Sequence, residues 1–338
     1  MKRESFSHYA NGPRLLADIG GASATFGLET APNQIEAVWV AQCAAYPTLG
    51  AAIVHYLSQP QAVAAGGYQA RYAGIAIANP IDGDWVTMTN HHWSFSIEAV
   101  CSQFSLSSLV VVNDFTALAS ALPYLAPEHK RQIGGGVARA GATIGLVGAD
   151  AGLGVSALVP AGERWIAIDS EGGHSTFAPM SEREIEILRY ARRHHEHVSS
   201  ERLVSGIGLV LVYRALAERA PAPAENLDSD EIIARGLRGS CALCVGTLET
   251  FCEMLGTVGG NVALTLGAKG GIYLGGRIVA RMGGFIERSG FRARFEQKGR
   301  FTEYLSHIPT WIITEKYPTL IGMSAMLSAL GPGSDPGV

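Results

Sequence analysis

The chain has 338 residues, a formal net charge of −4, and a composition with 47% hydrophobic and 17% charged residues. This balance provides for a large core and excludes a disordered chain, and the length suits two domains of ordinary size. There is no long basic run, so we expect no nucleic-acid surface. No apolar run reaches about 18 residues, so no membrane span is predicted.

Five cysteines lie in mostly apolar segments: Cys43, Cys101, Cys241, Cys244 and Cys252. We interpret them as reduced core residues of a cytosolic protein. Cys241 and Cys244 form a CxxC without a second pair, which leaves a zinc site as the less favoured alternative. The polar N-terminus lacks the apolar core of a signal peptide, and we therefore expect a cytoplasmic protein.

The first half of the chain alternates short apolar runs with segments of helical spacing, which is typical of α/β architecture. Strands are predicted over Arg14–Asp18, through Phe26 and Leu28, and over Ala37–Cys43, Tyr72–Ala78 and Ser108–Val112. Helices are predicted over Leu49–Ser58, Ile97–Phe104 and Phe115–Leu122.

The second half opens in the same order, with a strand, a glycine-rich turn and a second strand. These segments are Thr143–Val147, Gly148–Gly154 and Val155–Val159, followed by a helix from about Ser240 to Leu266, a strand over Gly270–Leu274, a helix over Ile278–Glu287, a strand over Trp311–Thr314 and a helix over Thr319–Leu330. The repeated opening predicts two related domains with a cleft between them. We expect a small domain over 14–124, completed by the C-terminal helix 315–330, and a large domain over 125–314.

Two glycine-rich turns stand at corresponding places in the two halves: DIGG from Asp18, and GADAGLG from Gly148. Backbone N–H groups in such turns suit phosphate oxygens, and Asp18 is placed to hold a water of Mg²⁺. A simple hairpin is the alternative for each turn, but the repetition favours a clamp on a nucleotide. The glycines expected to approach the phosphates are Gly20, Gly21, Gly148, Gly152 and Gly154.

Polar side chains also follow a buried strand at Asn113 and Asp114. A carboxylate between a buried strand and a helix lies where α/β folds place ligands, although Asp is also favoured as a helix N-cap. Carboxylate and imidazole groups recur at Glu171, His174 and Glu201, and such groups suit the hydroxyls of a sugar. Each of these three alone is better explained as a structural or surface residue, and their combination favours a sugar site.

The chain resembles bacterial glucokinases of the hexokinase and actin-like ATPase superfamily. The resemblance runs from about Leu15 to Leu327 and rests on LLADIGG, ANPIDGDWVTMTNHHWSFS, VVNDFTALASALP, EGGHSTFAP, ERLVSGIGLVLVYRAL, GGNVALTLGAKGGIYLGG and SGFRARFEQKGRFTEYL. It implies an α/β, two-domain actin-like ATPase (ribonuclease H-like) fold. It also implies phosphorylation of glucose at O6 by ATP with Mg²⁺.

The same resemblance implies roles for individual residues. Asp114 corresponds to the catalytic base, and the sugar-binding residues correspond to Asn113, Glu171, His174 and Glu201. Gly275 and Gly276 correspond to the nucleotide-binding glycine run. We expect glucose and ATP as the partners of a homodimer.

Departures from the family pattern lie on the nucleotide side. Ala22 and Ala151 replace Thr, Ser23 replaces Asn, Asp150 replaces Gly, and Arg277 ends a run that has three glycines in the family. Asp150 is expected to repel phosphate unless it meets a metal ion. The alternative function is therefore a glucose-binding regulatory protein with weak or no kinase activity. A repressor of the related repressor/kinase family is less favoured, because only 13 residues precede the first predicted strand.

Overall fold

The computed structural model describes residue 9 and residues 12–89, 91–218 and 225–329. The chain divides into two compact units, which we call unit 1 (Met1–Leu125 and Lys316–Val338) and unit 2 (Ala126–Glu315). Each unit has its own sheet and its own hydrophobic core.

The strands are β1 (Arg14–Ile19), β2 (Ser23–Ala31), β3 (Gln34–Gln42), β4 (Tyr72–Ile77), β5 (Trp85–Thr87), β6 (Ser94–Ser96), β7 (Ser108–Asn113), β8 (Lys130–Ile133), β9 (Ile144–Ala149), β10 (Leu153–Ala161), β11 (Arg164–Ile168), β12 (Ile272–Gly275) and β13 (Thr310–Ile313). The α-helices are α1 (Leu49–Leu57), α2 (Pro60–Ala64), α3 (Ile97–Gln103), α4 (Asp114–Ala121), α5 (Glu182–Ala191), α6 (Ser200–Leu203), α7 (Gly206–Ala217), α8 (Ser229–Leu237), α9 (Ala242–Leu266), α10 (Arg277–Arg288), α11 (Phe291–Glu296), α12 (Thr302–Ser306) and α13 (Pro318–Ala329).

The two main sheets share the arrangement of five strands, and the sheet of unit 2 has β8 as an additional antiparallel edge strand. The sheet of unit 1 has the order β3-β2-β1-β4-β7, and that of unit 2 has the order β11-β10-β9-β12-β13-β8. In each sheet three adjacent strands run parallel, and a hairpin strand pairs antiparallel with the first of them. The parallel strands are apolar along nearly their whole length because helices and loops cover both of their faces. The repeated order of strand, glycine-rich turn and strand in the sequence therefore corresponds to a repeated arrangement of strands in the two sheets.

The core of unit 2 is built around α9. This helix has 25 residues, and its buried side chains include Leu248, Phe251 and Leu255. It packs against α11, which contributes the buried residues Phe291 and Phe295. In unit 1 the C-terminal helix α13 packs on α4, with Leu320 and Met323 in their shared core. Residues at opposite ends of the sequence thus complete unit 1.

Most predicted elements agree with the structure to within two or three residues. The turn predicted over Gly148–Gly154 is an exception, because Gly148 and Gly154 lie in β9 and β10 and pair with each other. Backbone pairing between strands continues up to Ala149 and Leu153, so only three residues form the turn. Leu330, the predicted end of the last helix, lies outside the described residues.

All five cysteines are free thiols. Among the described residues, no group of three or more His, Cys, Asp or Glu side chains is arranged to hold a metal ion, so the zinc alternative for the CxxC gains no support. No single helix in the described part of the chain is long and apolar enough to cross a membrane. Helices α8 and α9, which are bent by 101° relative to each other, together have the length and composition of a membrane span, but α9 is largely buried in the core of unit 2.

Candidate active site

Three parallel strands of unit 1 end at one edge of their sheet. Ile19, Ile77 and Asn113 are register partners at the ends of β1, β4 and β7. The DIGG turn, the loop after β4 and the Asn113-Asp114 pair therefore emerge side by side. This is the edge of an α/β sheet where ligands bind.

Asn113, and not Asp114, caps helix α4. The backbone N–H of Phe115 donates to Oδ1 of Asn113 at 2.9 Å, and Asp114 is the first residue of the helix. The alternative of Asp114 as an ordinary N-cap is therefore wrong. Oδ1 of Asp114 lies 2.9 Å from the same N–H, which holds the carboxylate at the start of the helix. Its negative charge suits this position, because unpaired N–H groups make the first turn electropositive.

Asn79 is a residue of this edge to which no role was assigned from the sequence. Its buried amide accepts from the backbone N–H of Thr89 at 3.1 Å and donates to the carbonyl of Thr87 at 2.9 Å. The carbonyl of Asn79 in turn accepts from Nδ2 of Asn113 at 3.3 Å. Asn79 thus fixes both its own loop and the Asn113 side chain. The Asn-Pro pair after a buried strand was the available signal, because it marks a turn.

The DIGG turn is short. The N–H of Gly20 donates to the carbonyl of Ser23 at 2.9 Å, and Asp18 is half-buried in the last part of β1. A Cβ at residue 20 would make only an ordinary contact, 3.5 Å from the Ser23 carbonyl oxygen. The packing of this chain does not itself require glycine at position 20, which leaves room for a ligand close to the backbone.

In unit 2 the three predicted sugar residues lie together. Nε2 of His174 is 3.7 Å from Glu171 Oε2, and Nδ1 of His174 is 3.8 Å from Glu201 Oε1. These distances exceed a hydrogen bond, so polar atoms remain for hydroxyls that need both donors and acceptors. The Glu171 side chain is 78% exposed and that of Glu201 is 25% exposed.

Backbone pairing explains why residues from two distant segments meet. The N–H of Ser200 donates to the carbonyl of Ser175 at 2.8 Å, and the N–H of Phe177 donates to the carbonyl of Val198 at 3.0 Å. The segment after His174 therefore runs alongside the start of α6, which carries Glu201.

Glu201 also contacts the second glycine-rich turn. Its Oε2 accepts from the backbone N–H of Leu153 at 2.9 Å. A Cβ on Gly152 would lie 2.5 Å from that same oxygen, so a larger residue at position 152 would displace the carboxylate from this position. Leu153 and Glu201 are 48 positions apart, and the sequence did not predict their contact. One carboxylate thus joins the predicted sugar cluster to the predicted phosphate turn.

The two charged departures from the family pattern form an ion pair. Nε of Arg277 lies 2.9 Å from both Oδ1 and Oδ2 of Asp150. This bond raises the pKa of the Arg277 guanidinium. Asp150 therefore meets a cation of the protein itself, and the repulsion expected from the sequence is offset. The two residues are 127 positions apart, and the sequence did not predict that they would pair.

The segment before Arg277 requires glycine. Gly276 has φ +91°, a left-handed conformation that disfavours other residues, and a Cβ there would overlap the carbonyl of Ala149. Gly275 is the register partner of Gly148 in the neighbouring parallel strand. The glycine run and the GADAGLG turn are therefore adjacent parts of one edge of unit 2.

Comparison with known proteins places the chain in a family. The model of the glucokinase family matches residues 15–330. The bifunctional protein glk of Burkholderia pseudomallei is 52% identical over 97% of this chain and 50% of its own length. The chain thus spans about half the length of the first curated relatives it matches. The glucokinase of Chromobacterium violaceum is 52% identical over 96% of this chain and 92% of its own.

A solved structure supports the fold. The crystal structure of a glucokinase from an Antarctic psychrotroph matches with a TM-score of 0.85 and 35% identity, covering 93% of this chain and 98% of that one. The expected α/β fold of the actin-like ATPase type is confirmed, whereas the predicted interdomain cleft stays a prediction. Extent of match, identity and fold agree: this chain belongs to the glucokinase family.

Proposed function

We propose that the protein is a glucokinase that transfers the γ-phosphoryl group of ATP to O6 of glucose. The observation that carries this proposal is one edge of the unit 1 sheet. There the Asp114 carboxylate begins α4 directly after β7, and the DIGG turn follows β1 two strands away. A base and a phosphate-binding turn at one edge suit phosphoryl transfer, which depends on positioning and charge neutralisation.

Asp114 would be the general base. The O6 hydroxyl attacks the γ-phosphorus, the O6–P bond forms, and the bond from phosphorus to the β–γ bridging oxygen breaks. The hydroxyl proton passes to a carboxylate oxygen of Asp114, and ADP leaves with the electron pair of the broken bond. The Phe115 N–H at the start of α4 donates to Oδ1 of Asp114 and so positions the carboxylate.

Sugar binding would fall to Asn113, Glu171, His174 and Glu201. A side-chain amide has two donors and two acceptor lone pairs, so Asn113 keeps capacity beyond its bonds to Phe115 and Asn79. Exposed oxygen and nitrogen atoms of the unit 2 cluster offer the mixed donors and acceptors that glucose hydroxyls require.

ATP would be held by the backbone of the two turns and of the glycine run, through Gly20, Gly21, Gly148, Gly152, Gly154, Gly275 and Gly276. Mg²⁺ neutralises phosphate charge when bound. It commonly takes one or two carboxylates and completes its shell with water and phosphate oxygens. The Asp18 carboxylate would hold such an ion through a water molecule.

The test is ATP-dependent glucose phosphorylation by the purified full chain with Mg²⁺, followed through glucose 6-phosphate and ADP in equal amounts. Glucose binding is measured in parallel by calorimetry. Binding without phosphorylation would favour the regulatory protein, and absence of both would reject the two functions. Light scattering of the same sample tests the homodimer, which stays a prediction.

A further inference from the structure

The Asp150–Arg277 ion pair lies where β9 and β12 end side by side. Its backbone is held from several directions. The N–H of Gly206 donates to the Asp150 carbonyl at 2.8 Å, and the N–H of Asp150 donates to the Gly152 carbonyl at 2.8 Å. Gly276 packs against Ala149 too closely to admit a Cβ. These contacts fix the backbone at Asp150, and the Asp150 carboxylate in turn anchors the long side chain of Arg277 through Nε.

The pair leaves much of the guanidinium available. A guanidinium has five N–H donors, and Arg277 contacts Asp150 through Nε alone. Within the described residues, its two terminal nitrogens make no hydrogen bond, and its side chain is 76% exposed. A guanidinium held in this way presents its terminal N–H groups as a fork, which matches two oxygens of a phosphate.

We propose that Arg277 is a phosphate-binding residue of the nucleotide site and that Asp150 is the positioning residue that holds its guanidinium. The proposal rests on the proposed kinase function. Arg277 supplies donors to the phosphate chain of ATP at the edge of unit 2 where Ala151, which stands in place of a Thr, has no hydroxyl group to offer. Asp150 acts through Arg277 and does not itself contact ATP.

The test compares four variants and one matched control with the wild-type chain, using calorimetry for the Kd of ATP with Mg²⁺ and kinetics for the KM of ATP and of glucose. Arg277→Gln should raise the Kd and KM of ATP by about tenfold or more, the loss expected for a hydrogen bond between charged partners. Arg277→Lys should fall between Arg277→Gln and the wild type. The KM of glucose should stay within about twofold, since a lost nucleotide contact leaves sugar binding intact.

Asp150→Asn should raise the KM of ATP less than Arg277→Gln does, because the guanidinium remains but is no longer aimed. The double variant Asp150→Asn with Arg277→Gln should bind ATP better than Arg277→Gln and worse than the wild type. Arg277→Gln alone leaves the Asp150 carboxylate unpaired and repelling phosphate, and the double variant removes that charge. The matched control is Arg281→Gln. Arg281 lies on α10, like Arg277, and its side chain forms a surface ion pair with Asp230 of α8. The control substitution makes the same change of charge and should leave ATP binding unchanged.

Unchanged or tighter ATP binding in Arg277→Gln would overturn the proposal, because Arg277 would then be a solvated or obstructing side chain. Absence of ATP binding by the wild type would overturn it as well. If the wild type binds ATP but does not phosphorylate glucose, the proposed function fails, while the Kd of ATP in these variants still tests Arg277.

Discussion

Asp114 and Asn113 are neighbours in sequence for which we propose different roles. Asn113 caps α4 through its own Oδ1, so the helix does not depend on Asp114 for its N-cap. Substitution of Asp114 therefore tests chemistry with little disturbance of the local fold. Replacement of Asn113 would disturb the local fold, because it would remove a cap that stabilises α4 by about 1 kcal/mol.

We expect Asp114→Asn to reduce turnover below a tenth of the wild-type value, while the Kd of glucose stays within about tenfold. A general base acts in the transition state more than in ground-state binding. The measurements are kcat and glucose calorimetry, with a thermal melt to show that the variant is folded. A folded variant that keeps more than a tenth of wild-type turnover would remove Asp114 from its role.

At the scale of elements, Glu201 joins α6 to the β9–β10 turn, whereas Glu171 does not. Glu171→Ala should raise the KM of glucose by about tenfold or more and leave that of ATP unchanged, since its carboxylate would serve hydroxyls only. Glu201→Ala also removes the acceptor of the Leu153 N–H, so it should raise both the KM of glucose and the KM of ATP. Steady-state kinetics with each substrate varied in turn provide the comparison. Equal effects of the two variants on ATP would contradict the coupling.

Gly152→Ala tests the same contact from the side of the turn. The added Cβ would stand 2.5 Å from Glu201 Oε2 and must displace the carboxylate or the turn. We expect a raised KM for glucose with little change in unfolding temperature. Gly246→Ala in α9 is the matched control, because a Cβ there meets nothing within 4 Å. That control should keep its kinetics and gain about 0.5–1 kcal/mol of helix stability. Wild-type kinetics in Gly152→Ala would show that the carboxylate can move freely.

At the scale of the whole molecule, unit 1 depends on both ends of the described chain. Arg14 in β1 pairs with Glu29 in β2, and both side chains are almost fully buried. Arg14 also donates to Ser324 at 3.2 Å and to Ser328 at 2.9 Å, which ties β1 to α13. Ser324 donates to Oε1 of Glu29 at 2.7 Å, so the network is closed.

Glu29→Gln should therefore destabilise unit 1 by about 3–5 kcal/mol, because it leaves the Arg14 charge buried without its counter-charge. Denaturant unfolding measures the change, and Glu36→Gln on the exposed face of β3 is the control with the same loss of charge. We expect the control to lie within about 0.5 kcal/mol of the wild type. A similar small effect in Glu29→Gln would show that the network is solvated or readily rearranged.

The sequence by itself determined most strands and helices, the repeated order of the two halves and the residues at the ends of β1 and β7. Those features follow from local causes, namely side-chain periodicity, glycine-rich turns and capping residues. Short connecting elements such as β5, β6 and β8 gave too few residues for a periodic signal.

Only the tertiary structure decided which distant residues meet. The sequence showed Asp150 and Arg277 as two separate departures and Glu201 as a sugar residue alone. Sheet order places β9 beside β12 and so brings Asp150 to Arg277, and the pairing of residues 175–177 with 198–200 brings Glu201 to His174. Such contacts depend on how strands are arranged in space, which no local pattern of residues encodes.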